Sequence, residues 1–325
     1  MSLLWLGSVA AVLFGGLVAV AIHAARPWLI AWLKQLPAPM RARLALALLS
    51  APATVGIALS VLAVLPGVAA SVSPAFDHCP AHGDHHLHLC LVHRPQTLAW
   101  GRLVSVLGLA GLAIGLRVAV SLARVIRGQR VVSALRRAAR PSGRGYDVVA
   151  ADVPLAVTAG VLRPRVYLTR GLLERVCRTT RAIVLAHEAA HQHRRDPATK
   201  LIGELLGALH WPHTRRALLE ELSLACEQAC DEAAAATVGD RTAVADALVK
   251  LERLIASDPP TPCVAVARAD GSELASRVQA LLAAPTAAPR LPSRWLALAI
   301  GFALAGVLIT PIHHGTETLL GALFV

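Results

Sequence analysis

Residues 3–25 read LLWLGSVAAVLFGGLVAVAIHAA, an apolar run without an acidic side chain, a lysine or an arginine. A helix needs about 20 such residues to cross the hydrocarbon core of a bilayer. A cleaved signal peptide would instead begin with basic residues and carry a shorter apolar run. The stretch therefore predicts a membrane-spanning helix that is retained in the protein.

Three more apolar clusters follow, and the composition of the chain agrees with them. Of the 325 residues, 55% are hydrophobic and 16% are charged, a balance too apolar for an ordinary soluble domain. Two prolines in the second cluster are tolerable within a helical bundle, and two arginines near the ends of the third can extend to the membrane surface. The sequence predicts four transmembrane helices, at about residues 3–25, 44–70, 98–123 and 295–312.

Lysine and arginine are concentrated on one side of these helices. They occur in residues 26–43 and 124–140, whereas residues 71–97 contain only Arg94 and the chain after Pro311 contains neither. Because short basic segments stay in the cytoplasm, we expect the first two stretches to be cytoplasmic. Residues 71–97 and a short tail after the fourth helix would then be extracytoplasmic.

The formal net charge of +12 at pH 7 could suggest nucleic-acid binding. The basic residues largely flank the predicted helices, however, where attraction to anionic lipid is worth about 1 kcal/mol per residue. The sequence contains no nucleic-acid-binding motif. We therefore expect membrane lipid as a partner and no direct contact with nucleic acid.

Residues 124–293, between the third and fourth helices, form the only stretch long enough for a soluble domain. Short β-branched runs broken by Pro and Gly in residues 146–169 are typical of a small antiparallel sheet. Apolar residues three and four apart then predict helices at about residues 179–194, 198–209, 215–236 and 242–256. The predicted fold class is mainly α: a multi-pass helical membrane protein with a cytoplasmic helical domain that contains this sheet.

The first of these helices contains the sequence HEAAH, residues 187–191. On a helix, His187 and His191 project from one face about one turn apart, a spacing that suits one zinc ion. Glu188 could accept a proton from a water molecule and pass it to a departing amine. The alternative is a pair of polar positions on a surface helix, but four apolar residues precede the motif and indicate partial burial.

A catalytic zinc site needs a third protein ligand. Glu227, on another predicted helix, could supply it, and Asp231 lies one turn along the same face, where it could hydrogen-bond a ligating histidine and fix its tautomer. Spacing alone leaves three nearby alternatives open: Glu220, Glu221 and Glu232.

These residues resemble the integral-membrane metallopeptidases typified by the BlaR and MecR antibiotic-sensing proteins, relatives of the HtpX-type membrane proteases. Four segments carry the resemblance: PRVYLTRGLL at 164–173, LAHEAAHQHRRD at 185–196, Trp-Pro at 211–212 and EQACDE at 227–232. It implies a gluzincin-like zinc site with Glu227 as the third ligand and Asp196 in support. It also implies an edge strand that binds extended substrate, which residues 161–169 could provide.

The sequence departs from this family in two places. Members often have Asn-Pro after the Trp, whereas Pro212-His213 follows Trp211 here, so the start of the next helix could differ. Only a short tail follows the fourth predicted helix, so we expect no penicillin-binding sensor domain and no role as a β-lactam receptor.

The expected extracytoplasmic stretch 71–97 is rich in histidine. Cys79 and Cys90 could form a disulfide there, worth about 3 kcal/mol in the chain-entropy model. The histidines could bind zinc, copper or nickel, and a solvated polar loop is the open alternative. The histidines concerned are His78, His82, His85, His86, His88 and nearby His93.

The remaining cysteines predict no chemistry of their own. Cys226 and Cys230 flank Glu227 and fit small buried positions. Cys177 and Cys263 are isolated, with no catalytic setting.

The resulting expectation is a zinc endopeptidase that cleaves a cytoplasmic or membrane-associated protein in regulatory signalling, for example a transcriptional repressor. Two alternatives stay open. One is a protease for the quality control of membrane proteins. The other is a non-catalytic, metal-sensing membrane protein that uses the histidine-rich stretch.

Overall fold

The computed structural model describes residues 2–73, 89, 100–257, 271–284 and 294–324. Helices dominate, in agreement with the predicted mainly α class. The long helices are α1 Ser2–Leu33, α2 Ala38–Val72 and α3 Trp100–Ala138. The strands are β1 Ala139–Pro141, β2 Asp147–Val149, β3 Ala156–Ala159 and β4 Arg165–Thr169. The remaining helices are α4 Arg170–Arg175, α5 Arg178–Arg194, α6 Asp196–Leu206, α7 Pro212–Val238, α8 Arg241–Ala256, α9 Gly271–Leu282 and α10 Arg294–Phe324.

Three of the described helices are long and apolar enough to cross a membrane: Leu6–Leu33, Ala38–Val72 and Gly108–Ala138. They agree with a multi-pass membrane protein, and each continues beyond at least one of its predicted bounds: α1 past residue 25, α2 before residue 44 and α3 past residue 123. The predicted fourth span falls within α10, and its insertion stays a prediction.

The residues after 312, expected as a short tail, are helical, and their extracytoplasmic location stays a prediction. Helix α10 continues to Phe324, with Pro311 inside it. Proline removes one helical hydrogen bond, which need not end a helix that packs against neighbours.

Helices α1 and α2 form a tight hairpin joined at residues 34–37. A side chain at Gly56 would place its Cβ 2.7 Å from the carbonyl oxygen of Ala11, and one at Gly15 would lie 2.7 Å from that of Pro52. Such contacts require glycine, because small residues let two membrane helices approach closely. The pair is therefore fixed by backbone packing along its length.

The four strands form one sheet in the order β1-β2-β4-β3. Pairs β1·β2 and β3·β4 are antiparallel, whereas β2·β4 is parallel. The predicted small sheet is present, but it is mixed rather than wholly antiparallel, because β4 lies between β2 and β3 and runs parallel to β2. For the same reason residues 161–169 cannot supply the edge strand: β4 is paired on both sides, and β3 is the edge beside it.

The sheet lies between two helices. Val166 and Leu168 of β4 pack with Val184 of α5, while the intervening Tyr167 faces Val132 and Leu135 near the end of α3. Alternation along a strand sends successive side chains to opposite faces. The strands are therefore held against α5, the helix that carries HEAAH.

Helix α7 links the sheet and helices α5, α8 and α9 to the membrane hairpin. Its Leu218, Leu222 and Ala225 form one buried cluster with Leu33 and Leu49 of the hairpin. Further along, its Ala234 and Ala235 pack with α5, α8 and α9. The predicted helices α5 to α8 are all present, and α9 is an additional helix that the sequence analysis did not assign.

Candidate metal centre and active site

Two histidines of α5 point their side chains at one place. The Nε2 atoms of His187 and His191 lie 3.1 Å apart, and the rings meet edge to face with centroids 4.8 Å apart. Glu227 of α7 places Oε2 3.4 Å from each of these nitrogens. Three potential ligand atoms from two helices therefore form a triangle with sides of 3.1 to 3.4 Å.

The outer nitrogen of each ring faces a buried carboxylate. Nδ1 of His187 lies 3.0 Å from Oδ1 of Asp231, and Nδ1 of His191 lies 2.8 Å from Oδ2 of Asp196. An ionised carboxylate can only accept, so Nδ1 of His191 donates to Asp196 and its Nε2 is left to offer a lone pair. Nδ1 of His187 lies at ion-pair distance from Asp231 without forming a hydrogen bond. Both support residues named from the sequence are therefore beside the histidines.

A tight corner between α5 and α6 brings Asp196 into place. Arg195 adopts the left-handed conformation with φ 55° and ψ 39°, which ends α5 and lets α6 begin at the next residue. Asp196, now in the first turn of α6, reaches back to His191 and is 2% exposed. The local sequence RRD thus supplies both the turn and the acceptor.

The residues present fit a zinc ion. Ligands at 2.0–2.1 Å in a tetrahedral site are roughly 3.3 Å apart, which matches the triangle of His187, His191 and Glu227. Three acceptor atoms in a largely buried place repel one another unless a cation lies between them. The donor set of two imidazoles and one carboxylate leaves one tetrahedral position open, as catalytic sites require.

Basic residues balance the charge of Glu227. Nζ of Lys200 on α6 donates to Oε1 at 3.1 Å, and Nη1 of Arg277 on α9 lies 3.5 Å from Oε2. Burial alone would raise the pKa of Glu227, but the two neighbouring histidines and the charge of Lys200 hold it well below its usual range. The carboxyl is therefore ionised and ready to bind a cation.

The carboxylates around the centre also change the pKa of His187. Burial alone would lower the pKa of His187, yet the neighbouring carboxylates of Asp231 and Glu227 raise it to about 9. The centre thus favours positive charge, which a proton or a metal ion can provide.

Glu188 lies on the buried side of α5 beside β3. Oγ1 of Thr158 contacts both the side chain of Glu188, at 2.7 Å from Oε2, and its carbonyl oxygen, at 2.8 Å. A hydroxyl has one proton, so it can donate to only one of these acceptors at a time. Thr158 ties the edge strand to the residue that follows the first histidine.

The alternatives to Glu227 lie elsewhere. Glu221 is buried against Arg41 of α2, with Oε1 2.9 Å from Nε, and Glu232 pairs with Arg241. Glu220 is exposed. Of these four carboxylates, only Glu227 contacts the two histidines.

Two cysteines of α7 are close to this centre. Sγ of Cys230 lies 3.3 Å from Nδ1 of His191 and 3.4 Å from Oδ2 of Asp196. Burial raises the pKa of the Cys230 thiol, and it raises that of Cys226 to about 11. Both thiols therefore stay protonated. Both cysteines are buried, as the sequence predicts.

Three residues at the centre were not found from the sequence: Thr158, Lys200 and Arg277. Lys200 and Thr158 carry no motif, since their contacts join elements distant along the chain. Arg277 belongs to α9, whose apolar residues Leu274, Val278 and Leu281 follow the helical spacing that would have revealed the helix.

A cavity of about 510 Å³ opens beside the site. Its walls come from α3, from the end of β3, from α6 and from α7. Thr158 and Lys200, which hold the two site carboxylates, lie in its lining next to Val125, Val132 and Leu219. The cavity therefore borders the two residues that contact Glu188 and Glu227.

The histidine-rich stretch falls outside the described residues. This concerns His78, His82, His85, His86, His88, His93, Cys79 and Cys90. Metal binding there and the disulfide stay predictions.

A protein-family model described as BlaR1 peptidase M56 matches residues 97–281, more than half of the chain. The match runs from the beginning of α3 to the last turns of α9 and includes every residue of the centre. No match was found among the curated proteins or the solved structures.

Proposed function

The chain belongs to the BlaR1 peptidase M56 family, and we propose that it is a membrane-embedded zinc endopeptidase with its active site on the cytoplasmic side. The observation that carries the proposal is the convergence of two histidine nitrogens and one carboxylate oxygen, with a buried acid behind each imidazole. In this assignment His187, His191 and Glu227 hold the metal, and Asp231 and Asp196 orient the two rings.

Glu188 acts as the general base in this proposal. A zinc ion at the centre would polarise the substrate carbonyl and lower the pKa of a water molecule to about 7. Glu188 takes the proton of the attacking water and transfers it to the departing amine nitrogen. The hydroxyl of Thr158 fixes the carboxylate from the strand side, so its orientation is set before substrate arrives.

The edge of β3 is the proposed binding place for substrate. Within the described part of the chain, β3 pairs only with β4, so its other edge is available for strand addition. An extended peptide there would lie alongside Thr158 and next to the apolar cavity. We therefore propose an unfolded segment of a protein as substrate, with one apolar side chain in the cavity.

Regulatory signalling is the proposed setting, with a transcriptional repressor or a membrane-associated protein as the target. The cytoplasmic location rests on the basic residues around residues 26–43 and 124–140. Membrane lipid is the other proposed partner. Cleavage within either cytoplasmic target would link an event at the membrane to a change inside the cell.

The test compares the proteomes of cells that contain the wild-type chain with cells that contain Glu188→Gln. The substrate should accumulate intact with Glu188→Gln, and its fragments should appear only with the wild type. Glu220→Gln, at an exposed position of α7, is the matched control and should give the wild-type pattern. Identical fragment patterns for wild type and Glu188→Gln would reject the proposal.

A further inference from the structure

A second cluster of potential metal ligands lies on α10, far from the peptidase centre. It consists of His313, His314 and Glu317. Nε2 of His313 lies 3.3 Å from Oε1 of Glu317, and Nδ1 of His314 lies 3.7 Å from Oε2. All the potential ligand atoms of the cluster lie within 4.8 Å of one another. Two adjacent histidines and a glutamate one turn later on the same helix therefore place their side chains close together.

The surroundings are buried and apolar on one side. The side chain of His313 is 1% exposed and that of Glu317 is 6% exposed, whereas that of His314 is 35% exposed. Nearby Leu320 packs with Leu6 and Val9 of α1 and with Ala63 of α2. The cluster is therefore sheltered by the α1–α2 hairpin yet keeps access to solvent through His314.

A hydrogen bond from His313 determines which of its nitrogens can bind a cation. Nδ1 lies 2.5 Å from the carbonyl oxygen of Ala63, and a carbonyl can only accept. Nδ1 therefore carries the proton, and in neutral imidazole Nε2 then offers a lone pair. A backbone carbonyl on the non-ligating nitrogen is the usual support of a metal-binding histidine.

The lone pair of His313 faces an oxygen that also accepts. Oε1 of Glu317 receives the backbone N–H of Leu89 at 2.7 Å, as expected for an ionised carboxylate. Nε2 of His313 and Oε1 of Glu317 lie 3.3 Å apart. This separation suits two ligands of one divalent ion, since ligands at 2.0–2.1 Å lie roughly 3.3 Å apart.

We propose that His313, His314 and Glu317 form a second transition-metal site, distinct from the peptidase centre. Imidazole with one carboxylate suits zinc, copper(II) or nickel better than magnesium or calcium. The rival explanation is a doubly protonated His313 paired with Glu317, which needs no metal.

The site lies at the opposite end of the α1–α2 hairpin from the peptidase unit. Arg41 of α2 contacts α7, and Ala63 contacts His313. These residues are 22 positions apart in the sequence, which spans about 33 Å of helix, close to the thickness of the hydrocarbon core. The proposed ion would therefore bind on the extracytoplasmic side.

Zinc content of the purified full-length chain tests the proposal. The histidine-rich stretch could bind metal as well, so all measurements use a background in which its six histidines are replaced by asparagine. After equilibrium dialysis against buffered zinc, we expect two ions per chain in this background and one after either His314→Ala or Glu317→Gln. His213→Ala, at an exposed position of α7, should leave both ions bound.

A further substitution identifies the ion that remains. His187→Ala combined with His314→Ala should leave no tightly bound zinc, whereas His187→Ala alone should leave one. Zinc should also raise the thermal stability of His187→Ala, and His314→Ala should abolish that increase. If neither His314→Ala nor Glu317→Gln lowers the number of ions bound by the background chain, the second site does not exist.

Discussion

Asp231 is the residue on which the charge balance of the proposed zinc centre most depends. It is 1% exposed, faces Nδ1 of His187 at 3.0 Å, and receives Nε and Nη2 of Arg277 at 2.8 and 2.7 Å. Hydrogen-bond partners of this kind orient a metal-ligating imidazole and raise its basicity. Its effect should therefore appear in metal affinity.

We predict that Asp231→Asn weakens zinc binding about 10- to 100-fold, the usual effect of losing such a partner. A competition titration with a chelator measures the change. Asp246→Asn is the control, because Asp246 forms only an exposed pair with Lys250 on α8. An unchanged zinc affinity in Asp231→Asn would show that this carboxylate does not support the site.

Thr158 provides a second test at this scale. Its hydroxyl contacts Glu188 without contacting the proposed ligands, so its removal should affect turnover and leave zinc bound. A hydrogen bond to a charged group contributes about 1.5–3 kcal/mol, which predicts a loss in kcat of roughly 10- to 100-fold for Thr158→Val. Thr158→Ser should restore most of the rate.

The measurement is kcat and KM on a cleaved peptide, together with zinc content. A fall confined to kcat identifies a positioning residue. Loss of zinc in Thr158→Val, or no recovery in Thr158→Ser, would instead point to general damage to β3.

Among the elements, α7 connects the proposed centre to the membrane helices. It carries Glu227 and Asp231 of the proposed centre. It also carries Glu221 and Gln228, which both contact Arg41 of α2. Arg41 and Glu221 are both buried, with side chains 8% and 5% exposed. Removing one partner of a buried ion pair destabilises the folded protein by far more than the intact pair stabilises it, because the remaining charge stays buried.

Arg41→Met should therefore destabilise the protein by about 3–5 kcal/mol, because Glu221 stays buried without its partner. Arg41→Met with Glu221→Leu should recover most of that loss, since apolar residues can replace a buried pair. Denaturant unfolding of the full chain in detergent gives both values. Equal stability of the single and double variants would contradict a buried pair.

Local patterns predicted most of these elements, and long-range pairing produced the differences. The HEAAH spacing and the apolar periodicity of α5 to α8 depend on neighbouring residues, so the helices could be assigned. The strand order could not, because the position of β4 between β2 and β3 is set by contacts across the sheet. Thr158 was missed for the same reason, because it meets Glu188 on a different element. Arg277 was missed because α9, the helix that carries it, was not predicted.

At the scale of the molecule, membrane orientation follows from the basic residues and needs a direct test. Cys177 is exposed at the start of α5, and a hydrogen bond with Thr180 lowers its pKa, which favours the reactive thiolate. Cys226 and Cys230 are buried. Cys177 can therefore report the side on which the peptidase unit lies.

In a variant with Cys79, Cys90 and Cys263 replaced by serine, three cysteines remain, and Cys177 is the exposed one among them. A membrane-impermeant maleimide should label this variant in inside-out vesicles and spare it in right-side-out vesicles. Further replacement of Cys177 by serine should abolish labelling. Labelling of right-side-out vesicles would reverse the proposed orientation.

The central claim is hydrolysis of a peptide bond with Glu188 as the base and zinc as the metal. The most direct measurement is cleavage of an unfolded protein substrate by the purified full-length chain, with zinc content determined on the same samples. We expect cleavage by the wild type, zinc without cleavage in Glu188→Gln, and neither cleavage nor zinc at this centre in His187→Ala. Cleavage by Glu188→Gln at the wild-type rate would contradict the account.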